Sequence, residues 1–217
     1  MLYIFDWDGT LCDSLDKIVY CTKAAARDLG IPEPSDESVR DIIGLSLMPA
    51  IQKVFPGITD NDLKALLKLY AQYFKDDDTG SPVLYEGAIE TLAHIRDEGH
   101  QIAIATGKSR VGLDRVLGSL GLTGYFDGSR CADETASKPN PKMLQELLEE
   151  FDTAVTEAVM IGDTEYDMDM ARQLDMQRIA VSYGAHEIHR LHPFEPVLCL
   201  DRIDELKSWD RGLFFNK

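Results

Sequence analysis

Short apolar runs alternate with longer segments of helical periodicity along most of the chain. The runs are LYIF at 2–5, QIAIA at 101–105, EAVMI at 157–161, QRIAV at 177–181 and PVLCL at 196–200. Between them, helical patterns cover residues 88–98, 110–120 and 141–151, and the first two end at a glycine. Near-continuous apolar strands separated by helices are typical of a parallel sheet that is covered on both faces. We therefore predict an α/β protein with a doubly wound parallel sheet.

The alternation is interrupted between about residues 14 and 83, where no buried strand is predicted. This interval contains only helical patterns, such as DSLDKIVYCTKAAARDLG and DNDLKALLKLYAQYF. We expect an inserted, all-helical cap domain at 14–83 and an α/β core domain formed by 1–13 together with 84–217. The cap hinges are predicted after Cys12 and in the polar stretch DDDTGSPVLYEG, where Asp76–Asp78 are expected to be solvated.

Length and charge limit the classes of partner. The 217 residues suffice for one domain with a modest insertion. The net charge of −16 argues against nucleic acid and anionic membranes as partners, because both require a basic surface. No apolar run approaches the roughly 18 residues of a membrane span, and the first residues lack the basic start of a secretory signal. We expect a cytoplasmic monomer or homodimer that acts on a small molecule.

The cysteines support the same expectation about the compartment. They are widely spaced, without a CxxC pair, at Cys12, Cys21, Cys131 and Cys199. This spacing favours free thiols in a reducing compartment over a disulfide framework or a zinc site.

Charged and hydroxyl side chains follow three of the predicted strands. The stretch DWDGT at 6–10 follows the first run, TGK at 106–108 follows the second, and GDTEYD at 162–167 follows the third. A further basic stretch, SKPNP at 137–141, lies just before a predicted helix. Because ligands of open parallel sheets bind outside the carboxyl ends of the strands, we expect these side chains to share one site.

Each of these residue types has a use if the ligand is a phosphoryl group. Several carboxylates suit Mg²⁺, whose charge would allow Asp6 and Asp8 to lie so close together. One carboxylate could attack phosphorus and form an aspartyl phosphate, while the other protonates the leaving oxygen. Thr106 and the N–H groups of a turn would hold phosphate oxygens, and Lys138 would offset their negative charge.

These stretches resemble a known family. DWDGTL, the isolated Thr106, SKPNP and GDTEYD resemble, in this order, the four motifs of the haloacid dehalogenase superfamily. The helical interval is similar to the first-type cap of that family, and the chain from Met1 to about Leu206 is similar to its phosphoglycolate-phosphatase-like members. The resemblance implies an aspartyl-phosphate mechanism on a small phosphorylated metabolite, either phosphoglycolate-like or a sugar phosphate.

The resemblance also implies a role for each matching residue. Asp6 would be the nucleophile and Asp8 the general acid and base. Mg²⁺ would be held by Asp6, the backbone carbonyl of Asp8 and Asp163, with support from Asp167. Thr106 and the Gly107 amide would bind phosphate, and Lys138 would orient Asp6 and the phosphoryl group. All seven residues lie in the stretches quoted above; they are Asp6, Asp8, Thr106, Gly107, Lys138, Asp163 and Asp167.

Two further segments are expected near the substrate. Arg40 begins RDIIGLSLMPAI, which resembles the cap segment that faces the active site in this family, so Arg40 could meet a carboxylate or second phosphate of the substrate. Ser182-Tyr183-Gly184 follows a strand and is expected either to border the cleft or to form only a turn. HEIHRLH at 186–192 is predicted to be a polar, partly exposed helix, because Arg190 stands where a zinc-binding HExxH motif requires histidine.

Some alternative functions remain open. Asp8 favours phosphate chemistry, because family members that cleave carbon–halogen bonds lack this second acid. A phosphomutase of the same family would keep both acids, but the early cap segment DSLDKIVYCTKAA has no histidine, unlike the usual mutase segment. A phospho-accepting signalling module and a non-catalytic metabolite-binding protein are alternatives from other classes; a signalling module would be shorter and would lack the cap and the GDxxxD motif.

Overall fold

The central sheet of the protein is parallel, and its strands come from both sides of the helical interval. The computed structural model describes residues 1–75 and 81–209. In this part of the chain the strands are β1 (Leu2–Phe5), β2 (Gln101–Thr106), β3 (Gly128–Cys131), β4 (Ala158–Gly162), β5 (Gln177–Val181) and β6 (Leu198–Leu200). Their order across the sheet is β3-β2-β1-β4-β5-β6, and every pairing is parallel. The predicted doubly wound α/β fold is confirmed.

Helices cover both faces of this sheet. The core helices are α5 (Ala88–Asp97), α6 (Arg110–Ser119), α7 (Lys142–Glu150), α8 (Glu165–Arg172) and the short α9 (Ile188–Leu191). Because successive side chains of a strand point to opposite faces, Phe5 packs in a cluster with Leu92 of α5 and Leu113 of α6. Its neighbour Ile4 packs on the other face with Leu144 of α7. This two-sided burial explains why the strand is apolar at every position.

The edge strand β3 was missed by the sequence analysis. Its sequence, GSRC, contains no apolar run, and only Cys131 is buried. β3 pairs with β2 alone, so it lies at the edge of the sheet. An edge strand is less enclosed than a central one, and hydrophobic patterning therefore carries little signal for it.

The interval after β1 is helical, as predicted, and forms the cap. It contains α1 (Leu15–Leu29), α2 (Asp36–Arg40), α3 (Leu47–Val54) and α4 (Asp60–Lys75). Buried side chains from three of these helices meet in one cluster, formed by Ala25, Ile51, Leu63 and Leu66. The chain leaves and re-enters the core side by side, since the Asp13 N–H donates to the Val83 carbonyl at 2.9 Å.

Several expectations about the boundaries stay predictions. The division into a cap at 14–83 and a core at 1–13 and 84–217 is one of them. The acidic run Asp76–Asp78 and the last residues of the predicted core domain, 210–217, lie outside the described residues. All four cysteines are free, as predicted. None of the described helices is long and apolar enough to cross a membrane.

Replacing Leu66 with alanine tests the packing of the cap. The side chain of Leu66 is fully buried between α4, α1 and α3, so Leu66→Ala should lower the free energy of unfolding by about 2–5 kcal/mol. Chemical denaturation followed by circular dichroism measures this change. Val83→Ala is the control, because Val83 is 61% exposed and its backbone contact to Asp13 is retained. Equal destabilisation by both variants would contradict the packing described here.

Candidate active site

Three neighbouring strands deliver polar side chains to one edge of the sheet. Asp6 directly follows β1, Thr106 is the last residue of β2, and Asp163 directly follows β4. The Asp6 N–H donates to the Ile161 carbonyl at 2.9 Å, so the backbone of Asp6 is still held by the sheet. The three side chains are buried. The predicted convergence of Asp6, Thr106 and Asp163 at the carboxyl ends of the strands is therefore present in the structure.

The loop from β4 to α8 fixes two of the acids. Asp167 caps α8 together with Thr164, whose N–H and hydroxyl donate to Asp167 Oδ2 at 3.1 and 2.7 Å. Asp163 accepts hydrogen bonds from the Thr10 hydroxyl at 2.8 Å and the Ala185 N–H at 2.7 Å. Because both carboxylates are held by hydrogen bonds from the chain, their positions are set by the fold itself.

The turn after β5 packs directly against Asp163. A Cβ atom at Gly184 would lie only 2.0 Å from Asp163 Cβ, so no larger residue fits there without moving the acid. Tyr183 donates from its hydroxyl to the Thr10 carbonyl at 2.9 Å. The segment Ser182-Tyr183-Gly184 thus packs against Asp163 and the backbone of Thr10, and it does not line the cavity described below.

Lys138 lies between two of the acids. Its Nζ is 2.7 Å from Asp6 Oδ1 and 2.6 Å from Asp167 Oδ1, and the side chain is completely buried. Burial disfavours the ammonium form, but the negative charges of Asp167 and Asp6 outweigh this effect and raise the pKa of Lys138 above its ordinary value. Lys138 is therefore a fixed positive charge at this edge of the sheet.

One ammonium does not balance the three carboxylates. Oxygen atoms of Asp6, Asp163 and Asp167 lie within 4.8 Å of one another. Burial raises the pKa of Asp6, which the charge of Lys138 only partly offsets, and burial together with the charge of Asp167 raises the pKa of Asp163 to about 7. Oδ1 of Asp6 is held by the Lys138 ammonium at 2.7 Å, while Oδ2 has no hydrogen-bond donor among the described residues. A compact group of three buried carboxylates with one ammonium among them fits a hard divalent cation such as Mg²⁺.

The side chain of Asp8 is separate from this group of three. It accepts a hydrogen bond from the Ser14 hydroxyl at 2.6 Å, and its Oδ1 is 3.0 Å from Lys108 Nζ. The two acids of the first motif are therefore engaged by different cations, Asp6 by Lys138 and Asp8 by Lys108. These two ammonium groups lower the repulsion between Asp6 and Asp8, an effect that the sequence analysis had assigned to a metal.

A cavity of about 600 Å³ lies between the cap and this edge of the core. Asp6, Asp8 and Gly107 line it on the core side, while Thr106 and Lys138 lie outside its lining, buried in the core. The Thr106 hydroxyl accepts from the Lys108 N–H at 3.2 Å. On the cap side the walls are mostly apolar, with Ile18, Ile42, Ile43, Leu45, Leu47, Met48, Tyr70 and Phe74 among the lining residues. The cavity is thus a half-open cleft over Asp6 and Asp8, with room for a small organic molecule.

The structure does not bring Arg40 to this cavity. Arg40 is absent from the residues that line it, and its guanidinium donates to Asp16 Oδ1 at 2.5 Å on the surface of the cap. The neighbouring segment 42–50 does line the cavity, as expected from its sequence. A contact between Arg40 and substrate stays a prediction that no distance in the structure supports.

The prediction of a polar, partly exposed helix at His186–His192 is wrong in part. Only Ile188–Leu191 form an α-helix, and His186 precedes it with 1% of its surface exposed. Burial and the charge of Arg190 lower the pKa of His186. Its Nδ1 accepts from the Glu165 N–H at 3.2 Å, and its Nε2 lies 3.4 Å from the Asp41 carbonyl. No local sequence pattern indicates these contacts, because the partners of His186 are distant in the chain.

His186 belongs to a polar contact between cap and core. Asp41 of the cap accepts from Arg190 at 2.7 Å and from Lys53 at 2.9 Å, and its carbonyl accepts from the Tyr166 hydroxyl at 2.7 Å. Arg190 also pairs with Glu165. We call Asp41, Lys53, Glu165, Tyr166, His186 and Arg190 the cap–core contact. Glu165 and Tyr166 lie in the same motif as Asp163 and Asp167. This position is the one sequence signal that indicated a function for Glu165 and Tyr166.

The fold and the site together define a hydrolase-like α/β enzyme with a helical cap over a buried acidic centre. Residues 3–181 match the family model of haloacid dehalogenase-like hydrolases. The chain belongs to this family. The predicted class, a haloacid dehalogenase-like phosphatase, is confirmed at the level of the family.

Individual relatives are consistent with this membership. The chain is 32% identical to the "Probable phosphatase IndB" of Dickeya dadantii, over 94% of this chain and 91% of that protein. It is 27% identical to the phosphoglycolate phosphatase of Nitrosococcus oceani, over 95% of both chains. A crystal structure described as a predicted phosphoglycolate phosphatase from Haemophilus somnus 129PT superposes with a TM-score of 0.87 at 21% identity, over 95% of this chain and 96% of that one, and supports the fold.

Replacing Gly107 with alanine tests how closely the loop at residues 42–46 of the cap, the cap loop, packs against the core. A Cβ at Gly107 would lie 2.5 Å from the Gly44 carbonyl oxygen and 2.6 Å from that of Leu45, so Gly107→Ala should displace the cap loop. We expect faster hydrogen–deuterium exchange in residues 42–46 and a lower kcat/KM, with little change in overall stability. Gly118→Ala is the matched control, because a Cβ there meets nothing closer than 3.8 Å. Unchanged exchange in Gly107→Ala would contradict this close approach.

Proposed function

We propose that the protein is a Mg²⁺-dependent phosphatase that hydrolyses a small phosphorylated metabolite through an aspartyl-phosphate intermediate. The observation that carries this proposal is the state of Asp6. Its carboxylate lines the cavity, Lys138 holds Oδ1 as an ion pair, and Oδ2 accepts no hydrogen bond from the described residues. An oxygen without hydrogen bonds keeps its lone pairs available for attack on phosphorus.

Two acids share the proton transfers. In the first step an oxygen of Asp6 forms a bond to phosphorus and the bond between phosphorus and the alcohol oxygen breaks. Asp8, which also lines the cavity, would enter this step in its protonated form and give that proton to the alcohol oxygen. In the second step Asp8 takes a proton from water, the water oxygen bonds to phosphorus, and the bond to Asp6 breaks to release phosphate.

Contacts already present would orient these two acids. Ser14 and Lys108 hold Asp8 on the wall of the cavity, apart from Asp6. Lys138 fixes Asp6 and carries a positive charge that offsets the negative charge of a transferring phosphoryl group. Thr106 and the Gly107 N–H would bind phosphoryl oxygens at the end of β2.

Mg²⁺ would be held by Asp6, Asp163 and the backbone carbonyl of Asp8, with Asp167 in support. The fit rests on the three buried carboxylates and on the raised pKa values of Asp6 and Asp163, since a nearby cation would favour their charged forms. When bound, the ion supplies positive charge that lowers the repulsion between the attacking carboxylate and the phosphoryl group.

The substrate is the least constrained part of the proposal. A phosphoglycolate-like or sugar phosphate ester is consistent with the names of the relatives and with the size of the cavity. No observation in the described residues favours a phosphomutase, a phospho-accepting module or a non-catalytic binding protein instead. The cytoplasmic location, the monomeric or dimeric state and the lack of a nucleic-acid or membrane partner stay predictions.

Removal of divalent metal should abolish turnover. With all three carboxylates ionised, Lys138 leaves two negative charges uncompensated at the point where an anionic substrate must bind, so activity should disappear in excess chelator and return with Mg²⁺. Ca²⁺ should suppress activity, because it takes more ligands at longer distances than Mg²⁺. Release of phosphate from p-nitrophenyl phosphate measures both effects. Full turnover in chelator would exclude the metal assignment.

Substitution of the two acids separates their roles. Asp6→Asn should abolish turnover of every phosphate ester, because the attacking oxygen is lost. Asp8→Asn should release about one p-nitrophenolate per enzyme in a burst and then turn over slowly, since nitrophenolate departs without a proton but the acyl phosphate needs a base for its hydrolysis. Stopped-flow absorbance and mass spectrometry of the acid-quenched protein measure the burst and the site of phosphorylation.

The control for these variants is Asp97→Asn, which removes the same charge from an exposed position on α5. It should retain wild-type activity. Steady-state activity in Asp6→Asn, or a phosphate on a peptide without Asp6, would overturn the assigned roles even if the protein proved to be a phosphatase.

A further inference from the structure

Arg115 is unusual among the arginines of this protein. It lies on α6 and lines the cavity over Asp6 and Asp8. In residues 1–75 and 81–209, every other arginine donates to a carboxylate or a backbone carbonyl. Arg115 has no such acceptor in this part of the chain, and its recorded contact is with the Phe74 ring, 5.5 Å from its Cζ. In a protein with a net charge of −16, a guanidinium without an acid partner stands out.

The surroundings of Arg115 favour an anion as its missing partner. Lys108 also lines the cavity and contacts Phe74, with its Nζ 4.6 Å from the ring centroid, but Lys108 already pairs with Asp8. The cap wall around Phe74 is largely apolar. Apolar walls reduce the screening by water, so an ion pair formed there is stronger than one on the open surface.

The cavity also has room for a group beyond the phosphoryl group. Its volume of about 600 Å³ falls in the range of sites for whole small molecules. A phosphoryl group over Asp6 would fill only a small part of it. The remainder, bounded by the apolar cap wall and by Arg115, would hold the alcohol part of the ester.

We propose that Arg115 binds a second anionic group, a carboxylate or a phosphate, on the alcohol part of the substrate. This inference rests on the proposed phosphatase function and names the residue that determines its specificity. A planar guanidinium can form two parallel hydrogen bonds with either anion. Arg115 therefore takes the place that the sequence analysis had given to Arg40, whose guanidinium is bound to Asp16 outside the cavity.

The experiment compares two esters that have nearly the same shape and differ in charge, 4-carboxyphenyl phosphate and 4-carbamoylphenyl phosphate. The ratio of their kcat/KM values is measured for the wild type, Arg115→Met and Arg115→Lys. Any difference in leaving-group acidity is common to all enzymes and cancels when the ratios are compared. Arg27→Met is the matched control, because it removes the same charge from an exposed pair with Glu33 on the cap.

We expect Arg115→Met to lower the ratio by about 10- to 100-fold, the range for a lost hydrogen-bonded ion pair. The loss should appear mainly in KM of the carboxylate ester. Arg115→Lys should keep part of the preference, because it retains the charge but not the planar fork. Arg27→Met should leave the ratio unchanged. Hydroquinone bisphosphate, which has a phosphate in place of the carboxylate, shows which anion Arg115 prefers.

A binding measurement keeps this inference separate from the proposed function. The non-hydrolysable phosphonate analogues of the two esters are titrated by calorimetry, which requires no turnover. Tighter binding of the carboxylate analogue to the wild type, lost in Arg115→Met, supports the inference even if no ester is hydrolysed. An equal ratio in wild type and Arg115→Met, equal binding of both analogues or no binding of either would overturn it, while hydrolysis of both esters would still support the phosphatase.

Discussion

The ion pairs of Lys138 with Asp6 and Asp167 are the constraint on which the rest of the site depends. All three side chains are buried. Removing charges from water costs several kcal/mol for each ion, and mutual attraction offsets this cost only when the geometry is good. The fold provides that geometry through the sheet, which holds the backbone of Asp6, and through the helix cap, which holds Asp167. The remaining excess of negative charge is what makes this edge of the sheet suited to a cation.

The cap turns this charged edge into a cleft. Its apolar wall contributes surface that excludes water, while the core contributes the acids and the cations. Within such a space, each charge interacts more strongly than it would on the surface. Different elements would therefore contact the two ends of a ligand. The strand ends would contact its reactive end, and the helices α1, α3, α4 and α6 would contact the remainder.

Much of this arrangement could be predicted from the sequence, for a specific reason. The central strands are buried on both faces, so LYIF and EAVMI were recognisable from composition alone, and the acids that follow them had to meet at one edge. The polar edge strand GSRC offered no such signal. Lys108 stood in a recognised stretch, but its pairing with Asp8 depends on the conformation of two separate loops. The surroundings of Arg115 and His186 are set by helices that are distant in the sequence and pack against them in the folded protein. Local sequence patterns do not encode these contacts.

The segment 163–167, which joins β4 to the first turn of α8, contacts two parts of the molecule. It presents Asp163 and Asp167 to the interior, and two residues between them, Glu165 and Tyr166, bind the cap through Arg190 and Asp41. A ligand of the acidic centre that ordered this segment would therefore also favour its contacts with the cap. By reciprocity, seating of the cap would favour that ligand to the same extent. The five residues 163–167 thus carry both the contacts that build the acidic centre and the contacts that seat the cap.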